Sequence, residues 1–161
     1  MQYTNQKNKL IMAERSSKQL KLKYDFKLNN GGYEESYPHK YDKKSGDCVV
    51  RAIAISTEQS YKTVMFDLCE MAVGLGSMPN SSKVYIPYLE SKGFKEHKLP
   101  KSTRMDSDLI PRDRWVICYV ASHLTSVKGN ELHDTWDCSW TYSYKNDKPI
   151  NKIVTRLFYK D

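Results

Sequence analysis

The sequence lacks any long apolar run. No stretch approaches the roughly 18 consecutive apolar residues that a membrane-spanning helix needs. The opening stretch MQYTNQKNKLIMAERSS is polar and contains lysines, and it lacks the apolar block of a secretory signal. We therefore expect a soluble protein that is neither exported nor in contact with a membrane.

Paired cysteines are also absent. The four cysteines are Cys48, Cys69, Cys118 and Cys138, and none forms a CxxC motif, which argues against a zinc ribbon or a thioredoxin-type redox site. Without an export signal, a disulfide framework is not expected in a chain of this size, so we expect reduced thiols in the cytoplasm. No cofactor is expected. By default, each cysteine is a small buried apolar residue.

Composition predicts one compact domain, because 161 residues with 39% apolar and 12% aromatic content suffice for a core. The net charge of +7 is uneven: residues 1–44 carry ten Lys or Arg against five Asp or Glu, and residues 45–161 carry sixteen against fourteen. The basic N-terminal segment lacks a recognisable nucleic-acid motif and a tight cationic block, so we do not expect nucleic acid as a partner. A solvated surface is the favoured interpretation.

The segment 1–44 precedes a predicted core at 45–161. Within it, KLIMAERSSKQ is typical of a short helix, and apolar residues alternate with charged ones over 20–28, which predicts a strand with one buried face. NNGG at 29–32 indicates a turn, and we expect a loop over 33–46.

Three helices are predicted next. Asp47 is a good N-cap for the first, which continues through VVRAIAI and should be buried. The second begins at Ser60 and ends in GLGSMPNSS. The third spans roughly 82–92 and stops at Gly93, although Pro87 leaves its first half open.

After a loop over 98–113, the pattern changes to strands. They are RWVICYVA, then HLTSV, a KGNE turn, LHDTWD, and finally NKIVTRLFYK. Helices that precede strands in this way predict an α+β fold, in which an antiparallel sheet packs on the helix that begins near Cys48.

Cys48 has two interpretations. A thiol in the first turn of a helix is stabilised as thiolate by the helix dipole and can act as a nucleophile when a histidine is close. Alternatively, it is only a small core residue. Of the four histidines, His39 lies in the incoming loop and His97 in the middle connection, whereas His123 begins a strand.

Strand parity links His123 to an acid. If the KGNE hairpin closes with a turn of two or four residues, His123 lies opposite Asp134 or Trp136, so His123 and Asp134 share one face of the sheet. A three-residue turn would separate them. Asp137 falls on the other face and is the lesser candidate, and His133 points away.

The motifs GDCVVRAIAI and SHLTSVKGNELHDTWD resemble small phage-encoded papain-like cysteine peptidases, with the likeness covering roughly residues 45–140. The resemblance implies a papain-like fold with Cys48 as nucleophile, His123 as general base and then acid, and Asp134 as the residue that orients the imidazole. It also implies that Trp136 shields the acid from water, and that the protein acts in a bacterial host cytoplasm.

One feature departs from this pattern. The family commonly has a glutamine shortly before the cysteine as an oxyanion donor, and no glutamine occurs between Gln19 and Cys48. The backbone N–H of Cys48 could still donate, with a second donor from Tyr41, Ser45 or the region of Gly46. A lost donor costs about 2.7–4 kcal/mol, which weakens catalysis without abolishing it.

The sequence therefore predicts a thiol hydrolase, a peptidase or isopeptidase that acts on a protein or peptide through an acyl-enzyme. The missing glutamine favours an alternative, a catalytically weak papain-like protein that binds and inhibits a host or defence component. An acyl transferase of transglutaminase type shares the same residues. A metal site formed by His123, His133, Asp134 and Cys138 is disfavoured, because adjacent residues on a strand point apart. The aromatic stretch WDCSWTYSYKND is better read as core packing and a covering loop than as a ligand platform.

Overall fold

The computed structural model describes residues 23–38 and 46–161. In these ranges the helices are α1 (Tyr33–Ser36), α2 (Cys48–Thr57), α3 (Tyr61–Leu75) and α4 (Ser82–Ser91). The strands are β1 (Asp25–Leu28), β2 (Lys95–Lys98), β3 (Val116–Val120), β4 (His123–Lys128), β5 (Glu131–Asp134), β6 (Trp140–Ser143), β7 (Lys148–Asn151) and β8 (Val154–Tyr159). The α+β class predicted from the sequence is confirmed.

Six of these strands form one mixed sheet in the order β1-β5-β4-β3-β8-β2. β1 runs parallel to β5, and the other neighbours are antiparallel. The prediction of a wholly antiparallel sheet is therefore wrong. The chain between β1 and β5 contains the helices and strands β2 to β4. This long connection allows β1 to run parallel to β5 at the edge of the sheet.

The three predicted helices are present, with local signals at their ends. The Ser60 side chain accepts a hydrogen bond from the backbone N–H of Thr63 at the start of α3, and Gly76 ends that helix in a left-handed conformation. α4 forms despite Pro87 in its interior, and Gly93 follows its end with φ of 84°. A serine cap and a left-handed glycine thus set the two boundaries of α3, as the sequence indicated.

The helices cover one face of the sheet. Their apolar side chains pack with Ile117, Leu124 and Phe158 from β3, β4 and β8. Ile53 of α2 and Val64 of α3 have no solvent exposure, which puts α2 at the centre of this core, as expected for a helix that is apolar nearly all round.

A second core lies on the opposite face of the sheet. It contains Val116, Val127 and Leu132 from the sheet, with Met105 and Ile110 from the connection between β2 and β3. Both faces of the central strands are therefore buried, and β4 is apolar or buried along most of its length.

Four elements were missed by the sequence analysis. They are α1, β2, β6 and β7, each four residues long, and α1 lies where a loop was expected. β2 reads KEHK, which has no apolar alternation to reveal a strand. β6 and β7 pair as a separate two-stranded sheet in the region that we expected to be a covering loop.

The first strand agrees with its prediction only in part. β1 covers 25–28, whereas the prediction covered 20–28, of which 20–22 lie outside the described residues. Tyr24 is 1% exposed and Phe26 is half-buried against the second core, but Leu28 is 76% exposed, so the expected buried face ends before Leu28. The predicted helix over 9–19 also lies outside the described residues.

The NNGG turn presses against α2. The side chains of Asn29 and Asn30 accept hydrogen bonds from the backbone N–H groups of Gly31 and Gly32, and both glycines have positive φ. A Cβ at Gly31 would lie 3.1 Å from the Cα and the carbonyl oxygen of Arg51. Glycine therefore lets the turn approach the helix this closely without displacing the helix backbone.

Candidate active site

Helix α2 presents Cys48 in its first turn. The N-cap position is Asp47, as predicted, but its carboxylate does not accept a bond from the first turn. Its φ of −104° and ψ of 20° differ from the extended backbone that lets an N-cap side chain fold over the helix. The carboxylate instead contacts Arg51 at 3.1 Å and accepts a hydrogen bond from the Tyr61 hydroxyl at 2.8 Å. These contacts fix the start of the helix by another route.

His123 is the first residue of β4, directly after a two-residue turn. Val120 pairs with His123 across this turn, and both turn residues have positive φ, 49° for Ala121 and 63° for Ser122. Mirror-image hairpin turns need this conformation, which asparagine and glycine adopt with less strain than alanine or serine. The strained turn therefore lies immediately beside the candidate site.

The β4–β5 hairpin brings the predicted acid to His123. Its turn consists of two residues, with Lys128 paired to Glu131 and Ser126 to His133. Continued by one pair, this register places Asp134 diagonal to His123 on the same face. The Nε2 atom of His123 lies 2.7 Å from Oδ2 of Asp134. The even-length turn assumed in the parity argument is the one observed.

Asp134 is held in place by further contacts. It is 5% exposed, and its Oδ1 accepts a hydrogen bond from the backbone N–H of Thr135 at 2.7 Å. Because both carboxylate oxygens are engaged, the group has little freedom to rotate. It can therefore orient the imidazole of His123.

The other partner of His123 is Cys48, whose half-buried thiol interacts with the imidazole. Burial alone would raise the pKa of the thiol. The hydrogen bonds from His123 and from the backbone of Leu124, together with the charges of His123 and Arg51, outweigh burial and lower the pKa below its ordinary value. Thiolate is thus favoured at Cys48.

The pKa of His123 moves in the opposite direction. Burial alone would lower it, but hydrogen bonds to Asp134, Cys138 and Cys48, with the charge of Asp134, raise the pKa well above its ordinary value. A lowered thiol pKa beside a raised imidazole pKa favours a thiolate–imidazolium pair. With Nε2 bonded to Asp134, the Nδ1 side of the ring remains for the sulfur.

An aromatic ring and a second thiol complete the surroundings of His123 and Asp134. The Trp136 ring lies 5.4 Å from the His123 ring and is 46% exposed, so it covers the imidazole from the solvent side. Cys138, which the sequence left as a core or incidental residue, is buried, and its Sγ lies 3.8 Å from Oδ2 of Asp134. Cys138 directly follows the second motif in the chain, and the sequence placed it near His123 and Asp134 only in the disfavoured metal site.

The other candidate residues lie elsewhere. Asp137 accepts hydrogen bonds from the backbone N–H and the hydroxyl of Ser139, which is a turn contact. His133 contacts Glu131 and Asn29, and the His97 ring stacks on Tyr159. The positions 39, 41 and 45, where His39 and the proposed oxyanion donors Tyr41 and Ser45 stand, lie outside the described residues. Gly46, the remaining region proposed for a donor, is exposed.

A cleft of about 200 Å³, which opens to solvent, adjoins Cys48. Its walls come from α2, the α3–α4 connection, α4 and the central strands. The residues that line it are Cys48, Val49, Asn80, Ser82, Tyr85, Tyr119, Ser122, Leu124 and Arg156. Of these, only Cys48 was anticipated. Arg51, whose charge acts on the thiol, could have been found from its spacing of three residues after Cys48 on a helix.

Three potential metal ligands also meet here. Atoms of His123, Asp134 and Cys138 lie within 4.8 Å of one another, whereas His133, the fourth residue of the disfavoured metal hypothesis, lies apart. The separation of 2.7 Å between Nε2 and Oδ2 is that of a hydrogen bond. Two ligands of a tetrahedral zinc ion would lie roughly 3.3 Å apart, given metal–ligand distances of about 2.0–2.1 Å. The arrangement fits a hydrogen-bonded pair better than a metal centre.

Comparison with known proteins gives no relative: no family model, no curated protein and no solved structure matches this chain. Within the described residues, no helix is both long and apolar enough to cross a membrane. The chemistry of the site therefore has to be inferred from its own geometry.

Proposed function

We propose that this protein is a cysteine amide hydrolase of papain-like design, a peptidase or isopeptidase that works through an acyl-enzyme at Cys48. The observation that carries the proposal is the chain of contacts from the Cys48 thiol to His123 and from His123 Nε2 to Asp134 at 2.7 Å. The order of cysteine, histidine and acid along the chain, with the cysteine on a helix and the others on strands, supports the papain-like assignment.

In the first half of the reaction, the Cys48 thiolate attacks the carbonyl carbon of the scissile amide and forms a C–S bond. The His123 imidazolium then gives its proton to the leaving amine as the C–N bond breaks. In the second half, His123 takes a proton from water, which attacks the thioester and releases the acid. The C–S bond breaks, and the thiolate–imidazolium pair is restored.

Asp134 acts throughout by holding the imidazole. Because its carboxylate accepts the Nε2 proton, Nδ1 is directed at the sulfur and the imidazolium is stabilised when it forms. Trp136 limits the access of water to this hydrogen bond. The N–H of Cys48, in the first turn of α2, is one donor for the oxyanion, and the side chain of Asn80 is an amide donor on the cleft wall.

Cleavage of a complex peptide mixture tests this proposal. The wild-type protein should generate new peptide termini that mass spectrometry can identify, and Cys48→Ala should generate none, because the nucleophile is gone. Cys69→Ala is the matched control, since Cys69 is a half-buried cysteine on α3, away from the cleft. Cleavage that persists in Cys48→Ala would contradict the proposal.

The missing glutamine favours a second candidate, a papain-like module that binds a host or defence component without turning it over. The two candidates differ in what Cys48→Ala does. A binding module should hold its partner equally well with and without the thiol and should release no product. A hydrolase should retain bound substrate only in the variant.

A further inference from the structure

We infer that the cleft beside Cys48 selects substrates with an acidic side chain close to the scissile amide, and that Arg156 is the residue that recognises its carboxylate. This inference rests on the proposed function and assigns it a substrate class. The cleft is polar over much of its wall, with the amide of Asn80 and the hydroxyls of Ser82 and Ser122, and Arg156 is its one ionisable cation among the residues that line it.

Strand register places Arg156 in line with the site. Leu124 of β4 pairs with Tyr119 of β3, and Tyr119 pairs with Arg156 of β8. Paired residues project to the same face of a sheet, so these three side chains form a row on the helix-covered face. Leu124, at one end of the row, lines the cleft together with Cys48. The row therefore leads from the nucleophile to the guanidinium.

A residue of helix α4 lies near both the Cys48 sulfur and the Arg156 guanidinium. Tyr85 of α4 is buried against Phe158, and burial raises the pKa of its hydroxyl, while Arg156 lowers it and Cys48 raises it. Tyr85 thus lies within electrostatic reach of both the cation and the sulfur. A substrate that reaches from Cys48 to Arg156 would therefore run alongside Tyr85.

The guanidinium retains the capacity to bind an anion. Within the described part of the chain, Arg156 lies over the Tyr119 ring at 4.6 Å and has one ion pair, with Glu96 at 3.7 Å. That distance is too long for a hydrogen bond, so the planar set of five N–H donors is not consumed by Glu96. The contact with Tyr119 restrains the guanidinium, whose forked N–H groups suit the two-pronged binding of a carboxylate.

The charge around Arg156 also favours an anion. Lys98 pairs with Arg156 across β2 and β8, so a second cation continues the row. Glu96 opposes these two positive charges with one negative charge. The three groups together carry one net positive charge. A carboxylate with a single negative charge complements it, whereas a cationic side chain would be repelled.

Matched electrophilic peptides test the inference without a known substrate. The probes are acetylated tripeptidyl chloromethyl ketones that carry Glu or Gln at each position in turn, and intact mass gives the rate at which each modifies Cys48. At one position, the Glu probe should react about tenfold faster than its Gln partner, or more, as one hydrogen-bonded charge pair provides. Glu96→Gln should increase this ratio, because it removes the competing carboxylate.

Substitutions of Arg156 assign the preference. Arg156→Gln should bring the Glu/Gln ratio to about one, and Arg156→Lys should retain part of it, which also covers the case in which the glutamine variant does not fold. Arg114→Gln is the matched control, because Arg114 is a partly exposed arginine paired with Asp113 and does not line the cleft, and it should leave the ratio unchanged.

The outcomes separate this inference from the proposed function. Equal rates for all Glu and Gln pairs, or a preference that survives in Arg156→Gln, would overturn the recognition by Arg156 while leaving Cys48 as a nucleophile. If no probe modifies Cys48 in the folded protein, the proposed function and this inference fail together.

Discussion

The hydroxyl of Ser126 donates a hydrogen bond of 2.8 Å to the backbone carbonyl of Ala52. The Ser56 hydroxyl in turn donates to Ser126 at 2.9 Å, and both serines are buried. Ala52 lies one helical turn after Cys48, and Ser126 lies three residues after His123. This polar link inside an apolar interface therefore fixes the helix of the nucleophile against the strand of the base.

Removal of this link should loosen the site. Ser126→Ala leaves the Ser56 hydroxyl and the Ala52 carbonyl without their buried partner, so we expect a loss of about 1–3 kcal/mol in the free energy of unfolding. Ser56→Ala removes only one of the two bonds and should cost less. Urea denaturation measures both, and an equal or larger loss in Ser56→Ala would contradict the central place of Ser126.

A pair of glycine substitutions tests the packing of the NNGG turn. Gly31 and Gly76 both have positive φ, so alanine at either position carries a backbone cost of about 1–2 kcal/mol. Only Gly31→Ala adds a clash with the backbone of Arg51, whereas a Cβ at Gly76 has open space. We expect a lower melting temperature and slower alkylation of Cys48 in Gly31→Ala than in Gly76→Ala. Similar values in the two variants would mean that the turn does not support α2.

Asp134 and Asp137 should differ in their effect on reaction. Asp134→Asn is expected to slow the reaction of Cys48 with a peptidyl electrophile at least tenfold, because the imidazole loses the partner that orients it. Asp137→Asn affects a turn contact with Ser139 and should change the rate little. Circular dichroism first establishes that both variants fold. A larger loss in Asp137→Asn would refute the role assigned to Asp134.

Deletion of residues 1–18 should leave folding intact and weaken the binding of acidic partners. The deletion removes basic residues but retains β1 and the buried Tyr24, whose hydroxyl donates to the Met105 carbonyl at 2.7 Å. Thermal unfolding checks the first part, and salt-dependent binding to an acidic peptide checks the second. A marked fall in melting temperature would mean that residues 1–18 pack in the core, which contradicts this prediction.

The parts of the fold that sequence could predict are those with local signals. Ser60 and Gly76 bound α3, and the apolar body that follows Asp47 gives α2 its central place. The link between His123 and Asp134 could be predicted because strand parity needs only the length of one turn. These features depend on residues that are close in the chain.

Features that depend on distant pairing were not predictable in this way. The parallel pairing of β1 with β5 joins residues that are about a hundred positions apart, and no local pattern in either strand specifies it. Arg156 reaches the cleft because β8 pairs with β3, and nothing in the sequence of β8 predicts which strand it pairs with. The Asp47 side chain accepts a hydrogen bond from Tyr61 of another helix, and the sequence around Asp47 predicts only a helix cap.

The most direct measurement of the central claim is the pH dependence of alkylation at each thiol. The lowered pKa of Cys48 means that its thiolate persists at pH values where an ordinary thiol is protonated, so reactivity should survive as the pH falls. Cys118 should be the least reactive, because burial raises the pKa of its thiol. His123→Ala removes the hydrogen bond and the positive charge that lower the pKa of Cys48, and it should shift the midpoint of its profile to higher pH.

The measurement uses iodoacetamide near pH 6 with mass mapping of all four cysteines in the folded protein. The account predicts that Cys48 is modified ahead of Cys69, Cys118 and Cys138, and that this lead disappears in His123→Ala. Modification of Cys48 no faster than that of Cys69, or a lead that remains without His123, would contradict the thiolate–imidazolium pair and return Cys48 to a packing residue.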